Sequence, residues 1–229
     1  MLDDDGARYR LQSGGSVTVD RAAQTAVFCF TEPPGDEEMV HPFLCSAAAT
    51  MNRWLGRETF HAGAFVAEGG AWAVLGQKGS GKSSTLGWLA THGFPVLSDD
   101  LLVVDDGDAR VGPSCVDLRP DAAARLGVGE NLGVVGTRER WRVVLPKAPD
   151  RVPLRGWVFP AWGDDLALVP VPVAERLPRL LESLTLRVPP LRPARFLELA
   201  ALPCWTLYRP QRWNSLGPGV DRLLDAICG

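Results

Sequence analysis

Apolar and polar positions along the chain change period several times, and those changes predict alternating strands and helices. Two short alternating runs, residues 16–19 and 26–30, predict a strand pair at the edge of the domain. Residues 31–37 form a loop rich in proline, glycine and acidic side chains. From about 38 to 55, Val40, Leu44, Ala47, Ala48, Met51, Trp54 and Leu55 recur at helical spacing until Gly56, a helix expected to cover the sheet. Residues 60–67 and 72–75 are apolar runs joined by Glu68-Gly69-Gly70, which predicts a hairpin. A helix follows over 82–91, with His92-Gly93 as its stop.

The apolar run 94–100 ends in Asp99-Asp100, and 101–104 and 109–111 read as strands around an acidic turn. That turn, with Asp105, Asp106 and Asp108, lacks the full spacing of a calcium loop and is read as solvated. Residues 112–136, punctuated by proline and glycine, are expected to form a substrate loop with one helical piece at 121–126. A strand is predicted over 137–145. Strand-like, proline-rich sequence over 152–173 then leads to helices at 174–186 and 194–202, a strand at 203–208 and a helix at 220–227. There is no internal repeat or heptad run.

A chain of 229 residues suits one well-cored domain, and a net charge of -3 gives no reason to invoke nucleic acid or an acidic membrane surface. The five cysteines are scattered without a C-x-x-C pair and read as thiols in a reducing compartment. No apolar run approaches the roughly 18 residues of a membrane span. The acidic start Met1-Leu2-Asp3-Asp4-Asp5 is opposite in charge to the start of a signal peptide. A cytoplasmic protein without a membrane partner is expected.

Candidate chemistry centres on Gly76-Gln77-Lys78-Gly79-Ser80-Gly81-Lys82-Ser83, which has the spacing G-x-x-x-x-G-K-[ST] between a predicted strand and a predicted helix. Glycines in such a loop let backbone N–H groups converge on phosphate oxygens at a helix N-terminus. Lys82 is expected to reach the β- and γ-phosphates of ATP and Ser83 to ligate Mg2+, with Ser84 next in line. Only Lys78, Lys82 and Lys147 are lysines, so composition alone did not place one here.

The hairpin puts His61 at the end where the phosphates would lie, although an ordinary strand-end histidine fits equally well. Asp99 and Asp100 suit a division between a base and a metal ligand, on a strand expected beside the phosphate-loop strand; an acidic turn is the alternative. Strand periodicity sets Arg138, Arg140 and Arg142 on one face, where Arg140 and Arg142 are candidate phosphate contacts or part of a solvated face. Lys147 is noted beside them. The expected layout is one domain over 1–229: an N-terminal strand pair and helix to 56, a nucleotide-binding core over 57–150, and a C-terminal α/β part over 151–229.

His61 ahead of the phosphate-loop strand, the run from Gly76 to Ser83, and Leu97-Ser98-Asp99-Asp100 after the helix together resemble the HPr kinase/phosphorylase catalytic domain, which shares its core with phosphoenolpyruvate carboxykinases. The resemblance implies an α/β fold with a mixed β-sheet and flanking helices, and transfer of the γ-phosphoryl of ATP to a serine-type hydroxyl. It implies Asp99 as base, Asp100 for metal, His61 beside the carboxylate, and a homo-oligomer. Ser84 stands where HPr kinases carry glutamate. The short chain is more similar to the HPr-kinase-like proteins found beside peptide natural-product genes, lasso-peptide clusters among them, and this implies a peptide or small-protein partner with an acceptor serine. A regulatory nucleotide-binding module and a small-molecule hydroxyl kinase are the other readings of the same motifs.

Overall fold

The computed structural model describes residues 3–11 and 14–229; Met1 and Leu2 of the acidic start lie outside the described residues. At the N-terminus β1 (Gly6–Arg10), β2 (Ser16–Asp20) and β3 (Thr25–Cys29) form an antiparallel sheet of their own. The expected strand pair is therefore a three-strand meander. Its first strand has no apolar alternation to reveal it, because Ala7 is its one buried residue.

The next helix, α1 (Leu44–Trp54), starts at Leu44 and not at 38. His41 has φ -133° and ψ 129°, the extended conformation that a residue before proline favours, and Pro42 has no N–H to continue a helical ladder. A short helical turn at Asp36–Glu38 precedes the break, and Met39–Phe43 contains it. Ala47, Met51 and Trp54 of α1 cluster with Val17 and Val19 of the small sheet, and α1 also approaches β4 of the large one.

The expected run 60–67 is divided into β4 (Glu58–Phe60) and β5 (Ala62–Ala67), with His61 at the break. Chain reversal into β6 (Gly70–Leu75) uses Glu68 and Gly69 at φ 48° and 67°, the two positive values that a type I′ hairpin turn needs. The helix α2 (Lys82–Thr91) and strands β7 (Val96–Ser98), β8 (Leu102–Asp105) and β9 (Asp108–Arg110) follow in the predicted order.

Residues 112–136 are not a loop. They hold β10 (Cys115–Leu118), α3 (Pro120–Leu126) and β11 (Glu130–Val135), and β12 (Arg138–Val144) joins them in a small sheet ordered β10-β12-β11. A register shift between Asn131 and Val134 breaks the alternation in β11, which removes its signature from the sequence. The chain ends with β13 (Arg151–Trp162), β14 (Ala167–Pro170), α4 (Val173–Glu182), α5 (Pro193–Ala201), β15 (Cys204–Arg209) and α6 (Leu216–Cys228).

Nine strands make a mixed sheet ordered β4-β8-β9-β13-β6-β5-β7, with β15 beside β13 and β14 beside β15. β13 runs parallel to β6 and β15, and the remaining pairings are antiparallel. Alternation along β5 and β6 sends side chains to two cores. Ala62, Ala64, Ala73 and Leu75 meet Leu180 of α4 and Phe196 of α5 on one face; Phe65, Trp72 and Val74 meet Leu86 of α2 and Val220 of α6 on the other. Phe60 and Trp157 are fully buried with ring centroids 5.0 Å apart, and each such side chain stabilises the fold by about 1.5–3 kcal/mol. Strand β13 thus stands in the middle of the sheet, next to the strand that delivers the glycine-rich loop, with β15 on the other side of β13.

Candidate active site

A cavity of about 750 Å³ opens where the C-terminal ends of β6, β7, β13 and β15 meet. That is the side of an open α/β sheet where ligands bind. The segment from Gly76 to Gly81 connects β6 to α2, and Gly79 and Gly81 have φ of 91° and 95°, which a side chain would strain. Gln77, Lys78, Gly79, Gly81, Lys82, Ser83 and Ser84 line the cavity; Gly76 and Ser80 lie behind them, and the buried Ser80 hydroxyl has no hydrogen-bond partner. Lys82 is buried and its Nζ donates to Gly76 O at 2.6 Å. Burial lowers its pKa, against Asp100 and Asp99, which raise it.

Asp99 and Asp100 are carried to this loop without being adjacent to it. β7 pairs with β5, not with β6 as expected, so one strand separates the acidic tip from the strand that leads into the glycine-rich loop. Gly63 on β5 closes the gap: a Cβ there would lie 2.2 Å from Leu86 Cδ1 and 2.7 Å from Ser98 O. The approach lets Ser83 Oγ donate to Asp99 Oδ1 at 3.3 Å. Asp99 is fully buried and also accepts from the backbone N–H of Asp100 at 3.0 Å and of Asp117 at 3.4 Å. Burial and the Asp100 carboxylate push its pKa up to about 6.

Asp100 lines the cavity and Asp99 does not. Its φ of 65° is left-handed, a conformation that aspartate tolerates better than most residues and that recurs at functional sites. His61 reaches the same point from the start of β5, with Nδ1 3.1 Å from Asp100 O. A carbonyl can only accept, so Nδ1 carries the hydrogen and Nε2 is left as an acceptor. The residue is exposed, yet desolvation of its ring and the Lys82 ammonium hold its pKa below the ordinary value.

The arginines of β12 correct the sequence reading in part. Arg138 and Arg140 line the cavity; Arg142 does not. Arg142 donates to both carboxylate oxygens of buried Asp117, at 2.8 and 3.0 Å, and to the backbone oxygen of Glu37. Arg140 adds a contact to Asp117 at 3.2 Å, and His41 Nδ1 lies 3.5 Å from the same carboxylate. Neither arginine belongs to a solvated face, since both are 5% exposed. Lys147 is exposed and away from the cavity wall.

Within this ionic group, burial lowers the pKa of His41, but Asp117, Cys115 and the carboxylates Asp99 and Asp100 raise it to about 10. Burial raises that of Asp117, yet His41 and Arg142 hold it well below the usual carboxylate range. Cys115 is close enough to join His41 and Asp117 as a set of metal-ligating types. Two guanidiniums and a protonated His41 on the one carboxylate disfavour a metal ion there.

Two cavity residues carry no sequence signal. Arg209, at the end of β15, is 2% exposed and its Nε has no hydrogen-bond partner. It lies over the ring of Trp162 at 4.3 Å from the centroid, and Trp162 Nε1 donates to Gly79 O at 3.1 Å. Gly81 leaves it room, because a Cβ at that position would lie 2.4 Å from Arg209 Nη2. A buried guanidinium with no carboxylate partner among the described residues, beside a glycine-rich loop, suits an anionic ligand. No periodicity relates residue 209 to residue 81.

No protein-family model matches this sequence, and no curated protein matches it. Among solved structures, the HPr(Ser) kinase/phosphatase from Coxiella burnetii superposes with a TM-score of 0.38 and 10% identity, over 74% of this chain and 88% of that one. At that score the likeness assigns no role to any residue here.

Proposed function

We propose that this chain is an ATP- and magnesium-dependent kinase that transfers the γ-phosphoryl group to a serine-type hydroxyl of a peptide or small protein. The observation that carries the reading is the convergence of Lys82, Ser83, Asp100 and His61 on one cavity, with Asp99 bonded behind Ser83. Phosphoryl transfer needs positioning and charge neutralisation more than covalent help, and these residue types supply both.

The roles within the acidic pair are the reverse of those expected from the sequence. Asp100 faces the cavity and is the group that accepts the proton of the acceptor hydroxyl. Asp99, buried against Ser83, belongs with the metal. Oxygen donors on Ser83 and Asp99 fit magnesium and would hold it there, where it would supply positive charge to offset that of the phosphates. The acceptor oxygen bonds to the γ-phosphorus, the bond to the bridging oxygen breaks, ADP leaves, and the hydroxyl proton goes to Asp100. Lys82 leaves Gly76 O for the phosphates, and Arg209 gains the anionic partner it lacks.

Incubation with magnesium and γ-labelled ATP, with and without a peptide pool from the source cell, tests this reading. Label on a discrete peptide or protein, lost in Lys82→Ala and Asp100→Asn, is the expected result. Label released only as free phosphate, or transfer that survives Asp100→Asn, overturns it.

A further inference from the structure

We infer that the hydroxyl acceptor is itself anionic, carrying a carboxylate or phosphate group close to the hydroxyl, and that Arg119, Arg125 and Arg138 hold that group. This rests on the kinase reading above and names the substrate class it did not.

The cavity wall bears nine arginine or lysine side chains against the three carboxylates of Asp100, Asp117 and Asp121, on a chain whose overall charge is -3. One of those carboxylates, Asp117, is already taken up by Arg140, Arg142 and His41. Arg10, Arg119, Arg125, Arg138 and Arg212 line the cavity with no side-chain hydrogen bond or ion pair among the described residues. Several arginines elsewhere do find carboxylate partners: Arg57 and Arg110 share Asp105, and Arg179 takes Glu175. The cavity therefore concentrates guanidiniums whose charge the protein leaves unbalanced.

A magnesium-bound triphosphate balances only part of this. Lys82, the loop amides and Arg209 already stand where the phosphates would lie. Arg138 is near enough to the reaction centre to lower the pKa of both His61 and Lys82. Arg119 caps α3 and Arg125 stands in its last turn, so a short rigid helix presents both to the same cavity. Three guanidiniums, two from α3 and its cap and one on β12, form a recognition surface for planar or tetrahedral oxyanions, and they repel a basic acceptor.

The test compares serine peptides of equal length, flanked by acidic, neutral or basic residues, and a second set of phosphate-bearing, carboxylate-bearing and neutral small alcohols. The second set separates a peptide carboxylate from a small-molecule anion as the source of the charge. The expected kcat/KM for acidic acceptors exceeds that for neutral ones by about tenfold or more, chiefly through KM. Arg125→Ala with Arg138→Ala brings the ratio towards one, and Arg125→Glu moves the preference towards basic flanks.

A wild-type ratio near one, or a ratio kept in the double variant, overturns the inference while transfer itself upholds the kinase reading. Peptide binding with a non-hydrolysable ATP analogue is measured beside it by fluorescence anisotropy. Arginine-dependent binding of acidic peptides without any transfer overturns the kinase reading and leaves anion recognition standing. Absence of both binding and transfer for every acidic acceptor overturns the inference.

Discussion

Asp117→Asn removes one negative charge from the only carboxylate that Arg140, Arg142 and His41 share among the described residues. Asparagine keeps the shape but turns one acceptor into a donor that faces a guanidinium. Arg142 loses one of its two charge-assisted bonds to Asp117 and keeps Glu37, Arg140 loses its own, and the three buried cationic groups lose the one carboxylate they share. Breaking a buried pair in this way costs about 3–5 kcal/mol. At roughly 2–4 °C per kcal/mol for a chain of this size, the melting temperature should fall by about 6–20 °C.

Urea unfolding followed by tryptophan fluorescence reads the change, with Trp141 between the two arginines on β12 as an internal reporter. The pH dependence is a second readout. The folded pKa of His41 is raised, so its contribution to stability is complete below about 6.5 and is lost as pH rises through about 10. Asp117 is depressed in the fold, and its contribution is present above about 4 and lost on acidification. Without Asp117 the alkaline loss should shrink, because only Cys115, Asp99 and Asp100 then offset the effect of burial on His41. A loss below about 1 kcal/mol, or an unchanged alkaline limb, would refute the reasoning.

Asp99→Asn is expected to stop phosphoryl transfer yet stabilise the protein above pH 6 by about 1–2 kcal/mol, since a carboxyl whose pKa is raised by burial opposes folding once ionised; melting curves at pH 5 and 8 check the sign. Gly63→Val should push the tip of β7 away from α2, costing about 1–3 kcal/mol and lowering nucleotide affinity as Asp99 loses Ser83, which calorimetric titration would measure. Arg209→Met removes a buried, unbalanced charge, so stability without ligand should hold or rise while ATP affinity drops by about tenfold or more; unchanged affinity would remove Arg209 from the phosphate site.

The local elements were legible where the signal is local. The spacing from Gly76 to Ser83 with its flanking strand and helix, the Glu68-Gly69 hairpin, and α2 over 82–91 depend on near neighbours, and the structure keeps them. Apolar periodicity over 38–55 overstates helix α1 because it does not register Pro42, whose effect on His41 is itself local. Strands β10 and β11 were hidden by glycine, proline and a bulge, which remove the alternation that period-two reading needs.

The amino-acid sequence by itself determined a glycine-rich loop at a helix N-terminus, a carboxylate pair within reach of it, and three arginines on one strand face. It could not say which face would be buried, because alternation is the same for a solvated strand and for one pinned by Asp117. Tertiary structure alone decided that Asp100 faces the cavity while Asp99 backs Ser83, and that Arg142 serves the fold. It also brought Trp162 and Arg209 to a loop more than eighty residues earlier, through the parallel pairing of β13 with β6 and β15. Such pairings join segments distant in the chain, and their energy lies in shared burial and backbone hydrogen bonds, which no short stretch of sequence contains.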